Sequence, residues 1–157
     1  MRKAISLFLI LFCIFLLSNC EKEEEDITTV ATETWESETE DSNGSGNWTI
    51  ELKSDNSITI SGTWNFIYSG ATVSCPFSEG NLTVLADSMA FTVAGTANNP
   101  SAPSGYQNSP FELKVAGKTH TGSFTGKFEI TFSETGWPSK ITGTTTAVRT
   151  EGNGITS

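Results

Sequence analysis

Ser57-Ile58-Thr59-Ile60-Ser61-Gly62-Thr63-Trp64-Asn65-Phe66-Ile67-Tyr68-Ser69 is the stretch that sets the fold class. Ile58, Ile60, Trp64, Phe66 and Tyr68 share one parity, Thr59, Ser61, Thr63 and Asn65 share the other, and only Ile67 breaks the rule. Successive side chains of a strand point to opposite faces, so period-two patterning over about twelve residues reads as a long half-buried strand. Gly62 falls on the apolar face, where a strand glycine marks a bend, a bulge or the close approach of another backbone.

Trp48, Ile50 and Leu52 repeat the alternation upstream, and Ser54-Asp55-Asn56 supplies the turn between the two runs. Further strands are expected at 81–85, 89–95, 111–115, 118–124, 127–133 and 140–148. Turns are expected at Ala86-Asp87-Ser88, Ala116-Gly117, Thr125-Gly126 and Glu134-Thr135-Gly136. Short strands joined by tight turns imply an all-β antiparallel up-and-down meander of about eight or nine strands, which protects its edges by closing or doubling over. A small barrel is the expectation, with a β-sandwich as the alternative.

Charge places the domain boundary. The chain carries a formal net charge of −9, and most of it lies in the run from Glu21 to Asp41, where Lys22 is the one base. A segment so acidic, with only Ile27, Val30 and Trp35 as larger apolar residues, buries too little surface to offset its ordering entropy. It reads as a self-repelling tether, ending in the flexible joint Ser42-Asn43-Gly44-Ser45-Gly46. The expected organisation is a cleavable segment at 1–19, a tether at 20–46, one β-domain at 47–152 and a disordered tail at 153–157. An acidic chain whose charge is concentrated in a linker is not a nucleic-acid binder.

The amino terminus carries an address. Met1-Arg2-Lys3 precedes an apolar run from Ala4 to Leu17, shorter than the roughly 20 residues that span a bilayer, so the segment reads as a signal peptide. Its close, Leu17-Ser18-Asn19-Cys20, resembles the lipobox of bacterial lipoproteins. Leu17, Ser18 and Cys20 match that pattern, and Asn19 departs from the small residue usual before the cysteine. The resemblance implies cleavage between Asn19 and Cys20, acylation of Cys20 with palmitate-type chains, and anchoring in the outer membrane. Two or more acyl chains make a stable anchor where one does not. Lys22-Glu23-Glu24 is similar to the export signal of surface lipoproteins of Bacteroidetes, which implies a surface-exposed domain, the alternative being a periplasm-facing one.

Gly62-Thr63-Trp64 resembles the Gly-x-Trp signature of lipocalins and other calycin barrels, and a second copy stands at Gly46-Asn47-Trp48. The resemblance implies that Trp64 closes one end of a barrel beneath a basic residue from a late strand, here Arg149. It also implies a cavity lined by Trp64, Phe66, Phe91 and Phe128. The stretch 96–110, with Pro100, Pro103 and Pro110, is long for a compact domain, and long loops that are not disordered are usually functional. Tyr106 within it and Trp137 in Gly136-Trp137-Pro138 are candidate contact aromatics, because a flat ring adheres at little entropic cost.

Catalytic chemistry is sparse. His120 is the single histidine, Cys13 leaves with the signal, Cys20 is expected to be acylated, and Cys75 reads as a small buried hydrophobe. That inventory cannot build a His-rich or Cys-rich metal site, and the domain's carboxylates are scattered. No metal, no cofactor and no enzymatic activity are expected. The expected function is a lipid-anchored binding module for a small apolar ligand, a glycan or a protein, with candidate residues Trp64, Phe66, Tyr106 and Trp137. The first alternative is a structural or accessory lipoprotein partnering another envelope protein, and the last is an enzyme, which would need clustered carboxylates, or His120 beside one, in a concave site.

Overall fold

The computed structural model describes residues 27–41, 43–152 and 154–156. The signal segment expected at 1–19, with Asn19 and Cys20, lies outside the described residues. The strands are β1 (Thr29–Thr39), β2 (Gly44–Lys53), β3 (Ile58–Tyr68), β4 (Ala71–Phe77), β5 (Gly80–Leu85), β6 (Ser88–Asn98), β7 (Asn108–His120), β8 (Ser123–Phe132) and β9 (Lys140–Glu151). Sheet order is β4-β3-β2-β1-β9-β8-β7-β6-β5, antiparallel throughout, and a bridge between Ser74 of β4 and Asn98 of β6 closes eight strands into a barrel. The ninth strand, β5, is antiparallel to β6 as β4 is, so it continues the direction of β4 along the same neighbour. Closure through β4 and β6 makes this a barrel and not a sandwich.

The tether does not extend to Gly46. β1 lies between β2 and β9, and the acidic composition conceals a period of two. Glu36, Glu38 and Glu40 point outward, while Trp35, Ser37 and Thr39 point in and are buried. Glu36 and Glu38, two of the charges that suggested a linker, lie on the solvated face of a strand whose other face is core and also holds the buried Glu33. Nor is the carboxyl-terminal tail free where it is described. Ile155 and Thr156 donate their backbone N–H groups to Glu33 Oε1 at 3.0 and 3.1 Å.

Two turns expected at glycines are strand instead. Gly117 of β7 and Gly126 of β8 face each other in register, and a Cβ on either would fall 2.8 or 2.5 Å from Phe124 Cζ. The missing side chains make room for the Phe124 ring inside the barrel. The hairpin turns at Thr121-Gly122, both at positive φ (46° and 76°), inside the expected strand 118–124. β4 was not anticipated, although Val73, Cys75 and Phe77 alternate inward along it. The expected long loop contracts to 99–107, because β6 and β7 pair out to Asn98 and Asn108.

The interior is filled. Trp35, Trp48 and Trp64 are at most 1% exposed. Trp48 packs on Phe91 with ring centroids 5.3 Å apart, Trp64 on Phe128 at 4.9 Å, and Phe66 on Phe132 at 5.6 Å. The residues expected to line a calycin-type cavity instead occupy its space, as side chains do in small barrels. The register sets one Gly-x-Trp against the other, Gly46 opposite Trp64 and Trp48 opposite Gly62. A Cβ on Gly62 would lie 2.1 Å from the Asn47 carbonyl oxygen, which is the close backbone approach its place on the apolar face implied.

The two ends of the barrel differ. One end holds the start of β1, the turn at 54–57, the hairpins at Ala86-Asp87 and Thr121-Gly122, and residues 154–156. There Thr28 and Ser54 exchange hydrogen bonds. The other end holds the turn at 40–43, the Ser69-Gly70 hairpin and the loops 99–107 and 133–139.

Candidate functional site

Two clefts open at the second end. The first, about 430 Å³, lies between the β1–β2 turn and β9, with Trp64, Phe66 and Phe128 lining its apolar side. Its rim is polar and acidic, including Glu40, Asp41 and Thr142. Asp41 accepts a hydrogen bond from Thr39 Oγ1 at 2.6 Å and from the Asn43 N–H at 3.1 Å. These bonds hold its carboxyl below the usual range, so the charge is committed to shaping the turn. Gly143 keeps the β9 wall thin, since a Cβ there would meet Phe128 Cε1 at 2.7 Å. Among the described residues Trp64 Nε1 is buried without a hydrogen-bond partner, an arrangement that costs on the order of 1–3 kcal/mol.

The second cleft, about 340 Å³, is framed by Tyr68, Tyr106 and Trp137 with Asn99 and Ser101. The loop 99–107 is tied down from within. Asn99 N–H bonds to the Gln107 carbonyl at 2.8 Å, and its Oδ1 accepts the Ser101 N–H at 3.1 Å. Tyr106 N–H closes a turn onto the Pro103 carbonyl at 3.0 Å, and Gly105, at φ 91°, permits the sharp reversal before it. Trp137 Nε1 donates to the Tyr106 carbonyl at 3.0 Å, which fixes loop 133–139 to loop 99–107. Tyr106 is 54% exposed and Trp137 is partly buried.

An aromatic row joins the clefts. Phe66, on the first, packs on Phe132, and Phe132 packs on Trp137, on the second, at 5.1 Å. The structure thus gathers Trp64, Phe66, Tyr106 and Trp137 at one end in two adjacent groups. Sequence reasoning missed Tyr68 and Asn99. Tyr68 reads as one more inward strand residue, and only its position before the Ser69-Gly70 hairpin hints that it borders an opening.

Arg149 takes a partner other than the one the resemblance implied. Its guanidinium carbon lies 5.8 Å from the ring centroid of Trp35, its register partner across β1 and β9, and not over Trp64. It also donates to Glu33 Oε1 at 2.8 Å and to the Thr156 carbonyl at 2.9 Å. This cluster belongs to the end opposite the clefts, as does the exposed His120. Outer-wall carboxylates pair with lysines, Glu112 with Lys114 and Glu129 with Lys140. Among the described residues no group of three His, Cys, Asp or Glu side chains is placed to hold a metal.

Comparison with models of known families, with curated proteins and with solved structures found no significant match.

Proposed function

We propose that the chain is a lipid-anchored envelope protein whose barrel is a binding module, presenting its two aromatic-sided clefts away from the membrane. The observation that carries this reading is the polarity of the barrel. The chain enters β1 at one end, a few residues after Cys20, and both clefts open at the other. An acylated Cys20 would hold the first end toward the bilayer and leave the second end facing outward. The clefts fall within or near the roughly 300–1,000 Å³ range typical of ligand sites.

The experiment follows a palmitate analogue into the protein in growing cells, with Cys20→Ala as the comparison. Label in the parent and none in the variant supports the anchor. A second measurement places the domain. Ile67, beside the first cleft, is 56% exposed while Cys75 is fully buried, so Ile67→Cys offers the barrel's reactive thiol to a membrane-impermeant maleimide. Labelling of intact cells supports surface exposure, and labelling only after the outer membrane is opened supports the periplasm-facing alternative.

A second reading, an accessory lipoprotein gripping another envelope protein, draws on the exposed Ile67 and Tyr106 at the same end. Cross-linking from position 67 to a single envelope protein would favour it.

A further inference from the structure

Resting on the binding-module reading, we propose that the Tyr68–Tyr106–Trp137 cleft is a subsite for a neutral carbohydrate, one that stacks a sugar ring on its aromatic side chains.

The chemistry of the lining argues for that class. None of the residues lining this cleft is an aspartate, glutamate, lysine, arginine or histidine, so it offers no counter-charge to an ionic ligand. The chain's net charge of −9 further opposes an anionic polysaccharide by long-range repulsion. What the cleft offers is flat apolar rings beside hydroxyl and amide groups. Among the described residues the hydroxyls of Tyr68 and Tyr106 have no hydrogen-bond partner, and Asn99 spends only its Oδ1 within the loop. A pyranose matches that combination, with C–H faces for the rings and hydroxyls for the remaining polar groups. A purely apolar ligand would leave those polar groups unpaired, and buried groups without partners cost free energy.

Rigidity is the second element. The loop bonds within 99–107 and the Trp137 Nε1 contact hold the rings in place before any ligand arrives, so little entropy remains to be lost on binding. An extended proline-rich peptide also favours aromatic grooves. The half-enclosed volume of about 340 Å³ suits a compact ring better than an extended strand of peptide.

The test uses the full chain, purified in a detergent without a sugar headgroup, and reads tryptophan emission and titration heat. Trp35 and Trp48 line neither cleft and Trp64 lines the first, so the part of the emission change that Trp137→Phe removes is the part that reports on this cleft. The probes are neutral hexasaccharides of glucose (α-1,4 and β-1,4), xylose, mannose and galactose, with polygalacturonate and deca-proline as competitors of other classes. The expected result is saturable binding of at least one neutral hexasaccharide, weakened about tenfold by Tyr106→Ala, the scale of one lost ring contact. Trp137→Phe, which keeps a ring but loses the Nε1 bond to the Tyr106 carbonyl, should weaken binding and abolish the emission change of this cleft. Unchanged urea midpoints for both variants would show that folding is intact.

Three results overturn the proposal. The first is neutral binding that Tyr106→Ala leaves untouched. The second is no heat from any neutral probe at millimolar concentration. The third is preferential binding of polygalacturonate or deca-proline in the same cleft, which removes the carbohydrate but keeps a binding module. Loss of palmitate labelling at Cys20 would be a failure of the anchor alone, read in a separate experiment.

Discussion

Glu33 on β1 and Arg149 on β9 meet at 2.8 Å across 116 residues of sequence, at a carboxylate with no exposed side-chain surface. Both carboxylate oxygens are engaged, one by Arg149 and by the Ile155 and Thr156 N–H groups, the other by the Thr156 hydroxyl and Trp35 Nε1. Arg149 keeps 18% of its side-chain surface, so the pair is buried on one side and reaches solvent on the other.

Removing one partner of a buried pair strands the other charge. Glu33→Ala is expected to cost about 3–5 kcal/mol of stability, and Arg149→Met a similar amount, by urea denaturation. In Glu33→Ala/Arg149→Met the loss should be smaller than the sum of the single changes, because neither charge is left alone. Strict additivity in the cycle would show that the two groups stabilise the barrel independently.

The same site sets an acid limit. Burial raises the Glu33 carboxyl, but the Thr156 hydroxyl, the Thr156 and Ile155 N–H groups and the Arg149 charge outweigh it and hold it below its ordinary 4.5. The unfolded chain therefore takes up this proton first as pH falls. The site's contribution is complete above pH 4.5 and is lost as pH drops through the lower folded value. Asp41, Asp55, Asp87 and Glu129 are held low as well, so total stability is expected to fall more broadly. The Glu33 share is the difference from Glu33→Gln, which should lose less between about pH 6 and pH 3 than the parent does.

Gly62→Ala is expected to destabilise by about 1–3 kcal/mol, the usual cost of forcing bulk into a packed site. A new Cβ would lie 2.1 Å from Asn47 O and 2.8 Å from Trp48 Cα, both backbone atoms that cannot step aside singly. Gly70→Ala tests the contrast, since nothing lies within 4 Å of that position and its φ of +80° leaves backbone strain as the only cost. Equal losses at both sites would show that the β2–β3 hairpin yields more readily than its packing implies.

Cys75 is fully buried, and burial pushes its thiol up to about 12. At neutral pH the folded protein should be inert to a thiol reagent, with reaction following global opening of the barrel. The measurement is the labelling rate against urea concentration. A rate that stays flat until the main unfolding transition is expected, and fast labelling in native buffer would place Cys75 on a locally opening strand.

What could be read from the chain depended on whether patterning and composition agreed. In β3 they agree, and Ile58 to Tyr68 was legible almost to the residue. In β1 they conflict. Glu33, Glu36 and Glu38 dominate the composition, while inward Trp35, Ser37 and Thr39 carry the fold, two of them polar and so silent on a hydrophobic scale. Gly117 and Gly126 look like turn residues because glycine permits turns, yet here they yield space to Phe124, and a ring's destination is a tertiary fact. The candidate site divided along the same line. Tyr106 and Trp137 stood out in glycine- and proline-rich loops, whereas Tyr68 belongs to a strand pattern that ends at the rim of a cleft.

The contact between β1 and residues 149–156 also orders events in time. β1 is held on one side by β9, and Glu33 finds its partners only once Arg149, Ile155 and Thr156 are present. A nascent chain that has delivered its first strands but not these residues carries a barrel that cannot close. Such a chain remains open along its length, and the barrel forms only after the last strand has been made.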